Sequence, residues 1–182
     1  MRKTKEQIRR LLEQADWRRA LPAIAGRGAA SVPPLLSFLP RGGELADRAA
    51  IALGRVAAAM AEKSLESGRN VVRQLMWRMN DDSGNIGWGV PQAMAEALCA
   101  SPRLAGEYCR MLFSYVMDLG HADNYCDNDL LRRDCFEAIG RFARCRPDLC
   151  AEAIPWLEKG LADRDTECRR LAARALDILH AA

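Results

Sequence analysis

The chain has 182 residues, of which 49% are hydrophobic, 28% charged and 6% aromatic, with a formal net charge of +3. That length suits a single domain able to bury roughly two-thirds of its unfolded surface. Alanine and leucine dominate and β-branched residues are scarce, a balance that favours helix and excludes an extensive sheet. The basic start Met1-Arg2-Lys3-Thr4-Lys5 leads into no unbroken apolar stretch of signal-peptide or membrane length, so the expectation is a cytoplasmic protein without membrane contact. The seven cysteines (Cys99, Cys109, Cys126, Cys135, Cys145, Cys150 and Cys168) are odd in number and lack a CxxC pair. They read as reduced, mostly buried fillers rather than a disulfide framework. Charge is uneven: the first 60 residues carry eleven Lys/Arg against five acids, and the remainder is net acidic.

In chain order, Lys5–Ala15 (Ile8, Leu11, Leu12) and Trp17–Ile24 read as a helical cap within residues 1–28. A short helix follows at Val32–Leu39, opened by Pro33-Pro34, which suit a helix start. The segments Leu45–Val56, Ile86–Ala97, Leu131–Phe142 and Asp163–Leu179 then share one apolar pattern of helical period. Aligned on Leu53, Met94, Ile139 and Leu176, they recur at 41, 45 and 37 residues, a repeat signature. Gly54, Ala95 and Gly140 occupy matching positions. A mid-helix glycine costs about 1 kcal/mol against alanine and is tolerable where another helix must come close. Each of these helices has a partner before it: Val32–Leu39, Leu65–Met79, Pro102–Leu119 and Leu149–Leu161. A paired-helix unit cannot bury its apolar face alone, so neighbouring units stack. The expected fold is all-α, an α-solenoid of about four helical hairpins over residues 32–182 plus the N-terminal cap, forming one domain over 1–182.

The residues that carry this pattern resemble the HEAT-repeat superfamily, specifically its lyase-like short repeats. There the order is Asp, an aliphatic-Arg pair, then Ala-Ala-x-Ala-Leu-Gly-x-aliphatic. Asp165, Cys168-Arg169, Ala172-Ala173, Ala175-Leu176 and Leu179 match it, with Asp177 at the glycine position. Leu131-Arg132 with Ala138-Ile139-Gly140, and Ala49-Ala50-x-Ala52-Leu53-Gly54, match it too. The second repeat departs, with Gly87 where the arginine stands and Pro91 in the first turn. The segment Leu75–Ala97 is also similar to bacterial HEAT-like proteins, which brings no activity with it. The resemblance implies a fold rather than a function, because such repeats serve many unrelated ends.

The most unusual stretch is Asn80–Pro91, with Asn80, Asp81, Asp82, Asn85 and Trp88 among its residues. The equivalent loop of the third repeat, Gly120–Asp129, carries His121, Asp123, Asn124, Tyr125, Asp127 and Asp129. Turns within the repeats of a solenoid lie on one edge, so these two loops are expected side by side. Polar groups with aromatics on a rigid edge make a candidate partner-binding surface. The structural alternative is that the aspartates cap helices and Trp88 plugs a gap between repeats. Neither loop has the Asp-x-Asp-x-Asp-Gly order of a calcium loop. A zinc site on His121, Cys126 and Cys135 needs a fourth ligand, for which Cys145 and Cys150 are the remaining sources. His121 and His180 are the only histidines and neither precedes a glutamate, which excludes iron held by His-Glu pairs. No serine has a nucleophile-elbow setting, and no phosphate loop or dinucleotide fingerprint is present.

No catalytic residue, metal or cofactor is therefore expected, and the leading reading is a non-catalytic scaffold or adaptor whose partner is another protein. Two alternatives stay open. Nucleic-acid binding follows from HEAT-like proteins that resemble DNA-repair glycosylases, a comparison that Trp77, Arg78, Asp81 and Trp88 allow and the acidic loops oppose. A tetrapyrrole lyase or chaperone role follows by analogy with the short-repeat family, with no residue specific to it.

Overall fold

The computed structural model describes residues 2–80, 87–121 and 124–181. Among them are ten α-helices joined by short 3-10 turns, and no strand. The helices are α1 (Arg2–Glu13), α2 (Leu21–Gly26), α3 (Val32–Leu36), α4 (Gly43–Lys63), α5 (Leu65–Met79), α6 (Val90–Ala100), α7 (Pro102–Ser114), α8 (Asp129–Cys145), α9 (Ile154–Gly160) and α10 (Thr166–His180).

They stack as the apolar repeat requires. The second helix of each hairpin contacts the next, so α4, α6, α8 and α10 form one layer. Their partners α3, α5, α7 and α9 back that layer, while α1 and α2 close its N-terminal end against α4. The residues that set the repeat register, Leu53, Met94, Ile139 and Leu176, are all buried. One hydrophobic core runs from Ile8 to Leu176. The architecture is thus an all-helical repeat stack, as the periodicity predicts.

Helix bounds shift where local chemistry overrides periodicity. Gly89, at φ 71°, N-caps α6, so the helix starts at Val90 with Pro91 in its first turn. A Cβ on Gly89 would lie 3.1 Å from the Leu39 carbonyl oxygen, so the turns of the first two repeats touch there. The apolar stretch Leu149–Leu161 breaks into two 3-10 turns before α9, whose second residue is Pro155. Side-chain caps begin α7, α8 and α10: Ser101 Oγ, Asn128 Oδ1 and Asp165 Oδ1 accept from the amides of Leu104, Leu131 and Cys168 at 3.4, 3.0 and 2.9 Å. Each satisfies a donor that the first helical turn leaves unpaired.

Small residues set the spacing of the main layer. Ala49, Ala50, Ala52, Ala57, Ala93, Ala95, Ala97, Ala138, Ala172 and Ala175 are buried in it. The two mid-helix glycines differ in how much they matter. A Cβ on Gly54 would sit 2.7 Å from the Glu96 carbonyl carbon and oxygen, so α4 and α6 meet backbone to backbone. On Gly140 the nearest atom, Ala175 Cβ, is at 3.7 Å, an ordinary contact. The cysteines are free; five are buried, Cys99 is half-buried and Cys145 is exposed.

The glycine geometries predict opposite outcomes for the same substitution. Gly54→Ala is expected to destabilise by about 1–3 kcal/mol through overpacking. Gly140→Ala is expected to be neutral or to stabilise by up to about 1 kcal/mol from helix propensity. Chemical denaturation of the two variants checks this, and equal effects would mean that the α4–α6 approach is wrongly placed.

Candidate functional site

The exposed side of the α4–α6–α8–α10 layer carries three adjoining cavities that all include Glu137 in their walls. The first, about 450 Å³, lies between the Leu39–Gly43 turn, α4, Trp88 and α8. The second, about 270 Å³, lies where α6, α8 and α10 meet, floored by Gly140 and Ala175 with Phe136, Leu171 and Ile178. The third, about 460 Å³, runs along α8 and α10 among Arg133, Arg170 and Arg174. Together they make a groove across four helices. The small residues that allow close helix packing also leave the groove room.

Its charges are ordered along its length. Four carboxylates, Asp47, Glu96, Asp134 and Glu137, stand toward the α4–α6 end. Arg141 reaches three of them, at 3.0 Å to Glu137, 3.3 Å to Glu96 and 3.8 Å to Asp47. Asp134 has no ion-pair partner among the described residues; it accepts from the Gly89 amide at 3.5 Å and from the Gln92 amide group. Burial pushes the Asp134 carboxyl above its usual range, against the opposing hydrogen bonds from Gln92 and Gly89. Gln92 is only 7% exposed; its Nε2 donates to Glu137 at 3.2 Å and its Oε1 has no partner. Toward α10 the groove turns basic, with Arg144 and Arg174 exposed in the second cavity.

The two loops singled out from the sequence are divided by the structure. Asp81, Asp82, Asn85 and Asp123 lie outside the described residues. Trp88 is half-buried and lines the first cavity of the groove. Asn80 ends α5 and is exposed, as is His121. Asn124 ties its loop to α7, donating to Ser114 Oγ at 3.2 Å. Tyr125 and Asp127 line a separate cavity of about 550 Å³ with Trp156, Lys159 and Arg164. Trp77, compared above with nucleic-acid-gripping residues, is 79% exposed on α5. No group of three or more His, Cys, Asp or Glu among the described residues is arranged to hold a metal ion.

Asp129 serves a buried arginine. Arg132, 1% exposed, places all five of its N–H donors. Nε and one Nη donate to both oxygens of Asp163 at 2.8 and 2.9 Å, and that Nη also to Asp129 at 2.8 Å. The other Nη donates to the carbonyls of Cys126 and Asp127 at 2.9 and 3.2 Å. The guanidinium lies 5.4 Å from the Tyr125 ring centroid. Arg164 adds a second contact to Asp129 at 2.8 Å, and Arg133 holds the cap residue Asp165 at 2.6 and 2.9 Å. Hydrogen bonds from Arg132 and Arg164 hold the Asp129 carboxyl below its ordinary range. Burial, the largest single influence, pushes Asp163 up, but the Arg132 guanidinium and the Asp165 amide together outweigh it and the net shift is downward.

Gln92, Glu96, Asp134, Glu137 and Arg141 are absent from the loop-based expectation, yet a sequence signal exists for all of them but Asp134. Gln92, Glu137 and Arg174 each stand two residues before a register residue, and Glu96, Arg141 and Ile178 two after one. In α6, α8 and α10 these flanking positions face the groove.

No protein-family model matches the chain. No curated protein matches it either. Among solved structures, a designed armadillo repeat protein superposes over 94% of this chain and 80% of its own, at 19% identity and a TM-score of 0.47.

Removing the Arg132 side chain leaves Asp163, Asp129 and two carbonyls without their donor. Arg132→Met is expected to cost roughly 3–5 kcal/mol, the loss typical of breaking a buried ion pair. The carboxyls involved have depressed folded pKa values, so their stabilisation is complete above the ordinary Asp range, near about 3.9, and is lost as pH falls below it. The stability gap between wild type and variant should therefore narrow on acidification from about pH 6 toward pH 2–3. Urea midpoints across that range check it, and a constant gap would show that the ion pairs contribute nothing.

Proposed function

We propose that the protein is a non-catalytic interaction scaffold, a HEAT-type repeat adaptor that holds an extended segment of a partner protein in the groove on α4, α6, α8 and α10. The observation that carries this reading is the meeting of three cavities at Glu137, which makes one trough across four consecutive second helices. An extended chain rises about 3.3 Å per residue, so a segment of that kind can cross several helices and place side chains in successive cavities. The ordered charge, acidic toward α4 and basic toward α10, gives the segment a direction.

Electrostatics favours this over nucleic acid, because the four carboxylates at the groove's acidic end outnumber its two arginines, Arg41 and Arg141, and repel phosphate. Nothing in the groove is specific to a tetrapyrrole. No helix among the described residues is long and apolar enough to cross a membrane. On its seven free cysteines we assign the protein to the cytoplasm.

The loop edge is proposed as a second contact area, joined to the groove through Trp88 and supported by the cavity that Tyr125 and Asp127 line. Its residues in this reading are Asn80, Asp81, Asp82, Asn85, Trp88, His121, Asp123, Asn124, Tyr125, Asp127 and Asp129.

Selection of a random displayed peptide library against the folded protein tests the groove. Selected peptides are expected to perturb the amide resonances of Ala50, Gln92, Gly140 and Ala175. Failure to enrich any peptide, or shifts confined to α5, α7 and α9, would overturn the reading. Replacing Asp82, Asp123 and Asp127 together with asparagine tests the edge. Selected peptides should lose affinity at unchanged melting temperature if the edge contributes, and unchanged affinity removes it.

A further inference from the structure

Resting on the groove reading, we infer that its first cavity is a pocket for an arginine side chain of the bound segment, enclosed by Asp134, Glu137, Gln92 and Trp88. Three observations lead there. Asp134 is a half-buried carboxylate with no ion-pair partner among the described residues, while Arg141 is already shared among three other acids. Burying such a charge without a countercharge is costly, and a cation from outside supplies one.

Beside it, Gln92 is 93% buried with an unpartnered Oε1, since its Nε2 is committed to the neighbouring carboxylates. Turning the amide over does not relieve this, because its oxygen would then face carboxylate oxygens. The oxygen itself has no surface open to solvent, so an incoming donor reaches it only when the Gln92 amide swings toward the cavity. Trp88 lines the same cavity, and indole is the strongest of the aromatic partners for a cation. The wall therefore offers two carboxylates and an indole, with the Gln92 amide behind them, in a cavity of about 450 Å³.

That set fits a guanidinium better than an ammonium. A guanidinium is planar, stacks on aromatic rings and presents five donors in a fixed fork, whereas an ammonium presents three on a compact, strongly hydrated charge. Among the described residues the one cation in the cavity wall is Arg41, which sits 5.8 Å from the Phe38 ring centroid at the exposed rim.

The test is an NMR titration of the full chain with Nα-acetyl-arginine amide, in parallel with its citrulline and lysine counterparts and with calcium chloride. The arginine probe is expected to give saturable shifts at the amides of Gly89, Gln92 and Asp134 and at the Trp88 indole N–H. Citrulline, which is neutral and nearly the same shape, should give none, and lysine should bind at least fivefold more weakly. Asp134→Asn and Gln92→Leu, each confirmed as folded by its helical spectrum, should weaken the arginine response at least fivefold, while Glu62→Gln, outside the groove, should not change it. Equal responses to arginine and citrulline, equal affinity for lysine, the same shifts produced by calcium, or wild-type affinity in Asp134→Asn would each overturn the proposal. Selected peptides that occupy the groove while the arginine probe does not would overturn the pocket and leave the scaffold standing. An arginine response without any selectable peptide would do the reverse.

Discussion

Close approach of the second helices is the constraint on which the rest of the molecule depends. Between α4 and α6 the distance is set by Gly54, where no side-chain atom fits against the Glu96 backbone. Farther along, buried alanines line the contacts of α6 with α8 and of α8 with α10, where the spacing at Gly140 is ordinary. Small residues hold these contacts, and the larger register residues Leu53, Met94, Ile139 and Leu176 fill the buried side beside them. The polar residues at the flanking positions are pushed to the exposed side of the layer, where they line the groove.

The third and fourth repeats are joined by a second device. Arg132, itself almost fully buried, gathers Asp163, two loop carbonyls and the partly exposed Asp129 into one paired cluster. A buried guanidinium tolerates no partial solution, since any unpaired N–H retains its desolvation cost. The cluster therefore fixes the α7–α8 loop to the turn before α10, and Arg133 repeats the arrangement one residue later with Asp165. Such rigidity suits a surface that works by presenting groups at fixed positions, because a pre-ordered site loses less entropy on binding.

The groove combines two features that seldom persist without use. Acids outnumber bases at its α4–α6 end, and a buried amide there keeps an unpaired oxygen. Elsewhere the polar groups are well served, as the caps on α7, α8 and α10 and the five donors of Arg132 show. In the described part of the chain, Tyr115 Oη is the other buried side-chain oxygen or nitrogen without a partner.

The sequence by itself determined the fold class and the register. Spacing of apolar residues at helical period, repeated at 41, 45 and 37 residues, is a local property of the chain, and it put Leu53, Met94, Ile139 and Leu176 in successive buried helices. Composition likewise marked the loops of the second and third repeats as unusual. What the residues of those loops touch was decided by tertiary structure. Asp129 and Tyr125 look alike in sequence to exposed recognition residues, yet they attend Arg132, and the carboxylate that completes its fork, Asp163, lies 31 residues away. Trp88 and Tyr125, expected on one edge, line different cavities. The groove residues were legible only as polar interruptions beside the register positions. That Gln92, Asp134 and Glu137 face one another depends on how far α6 and α8 approach, which small residues permit and only the packed structure fixes.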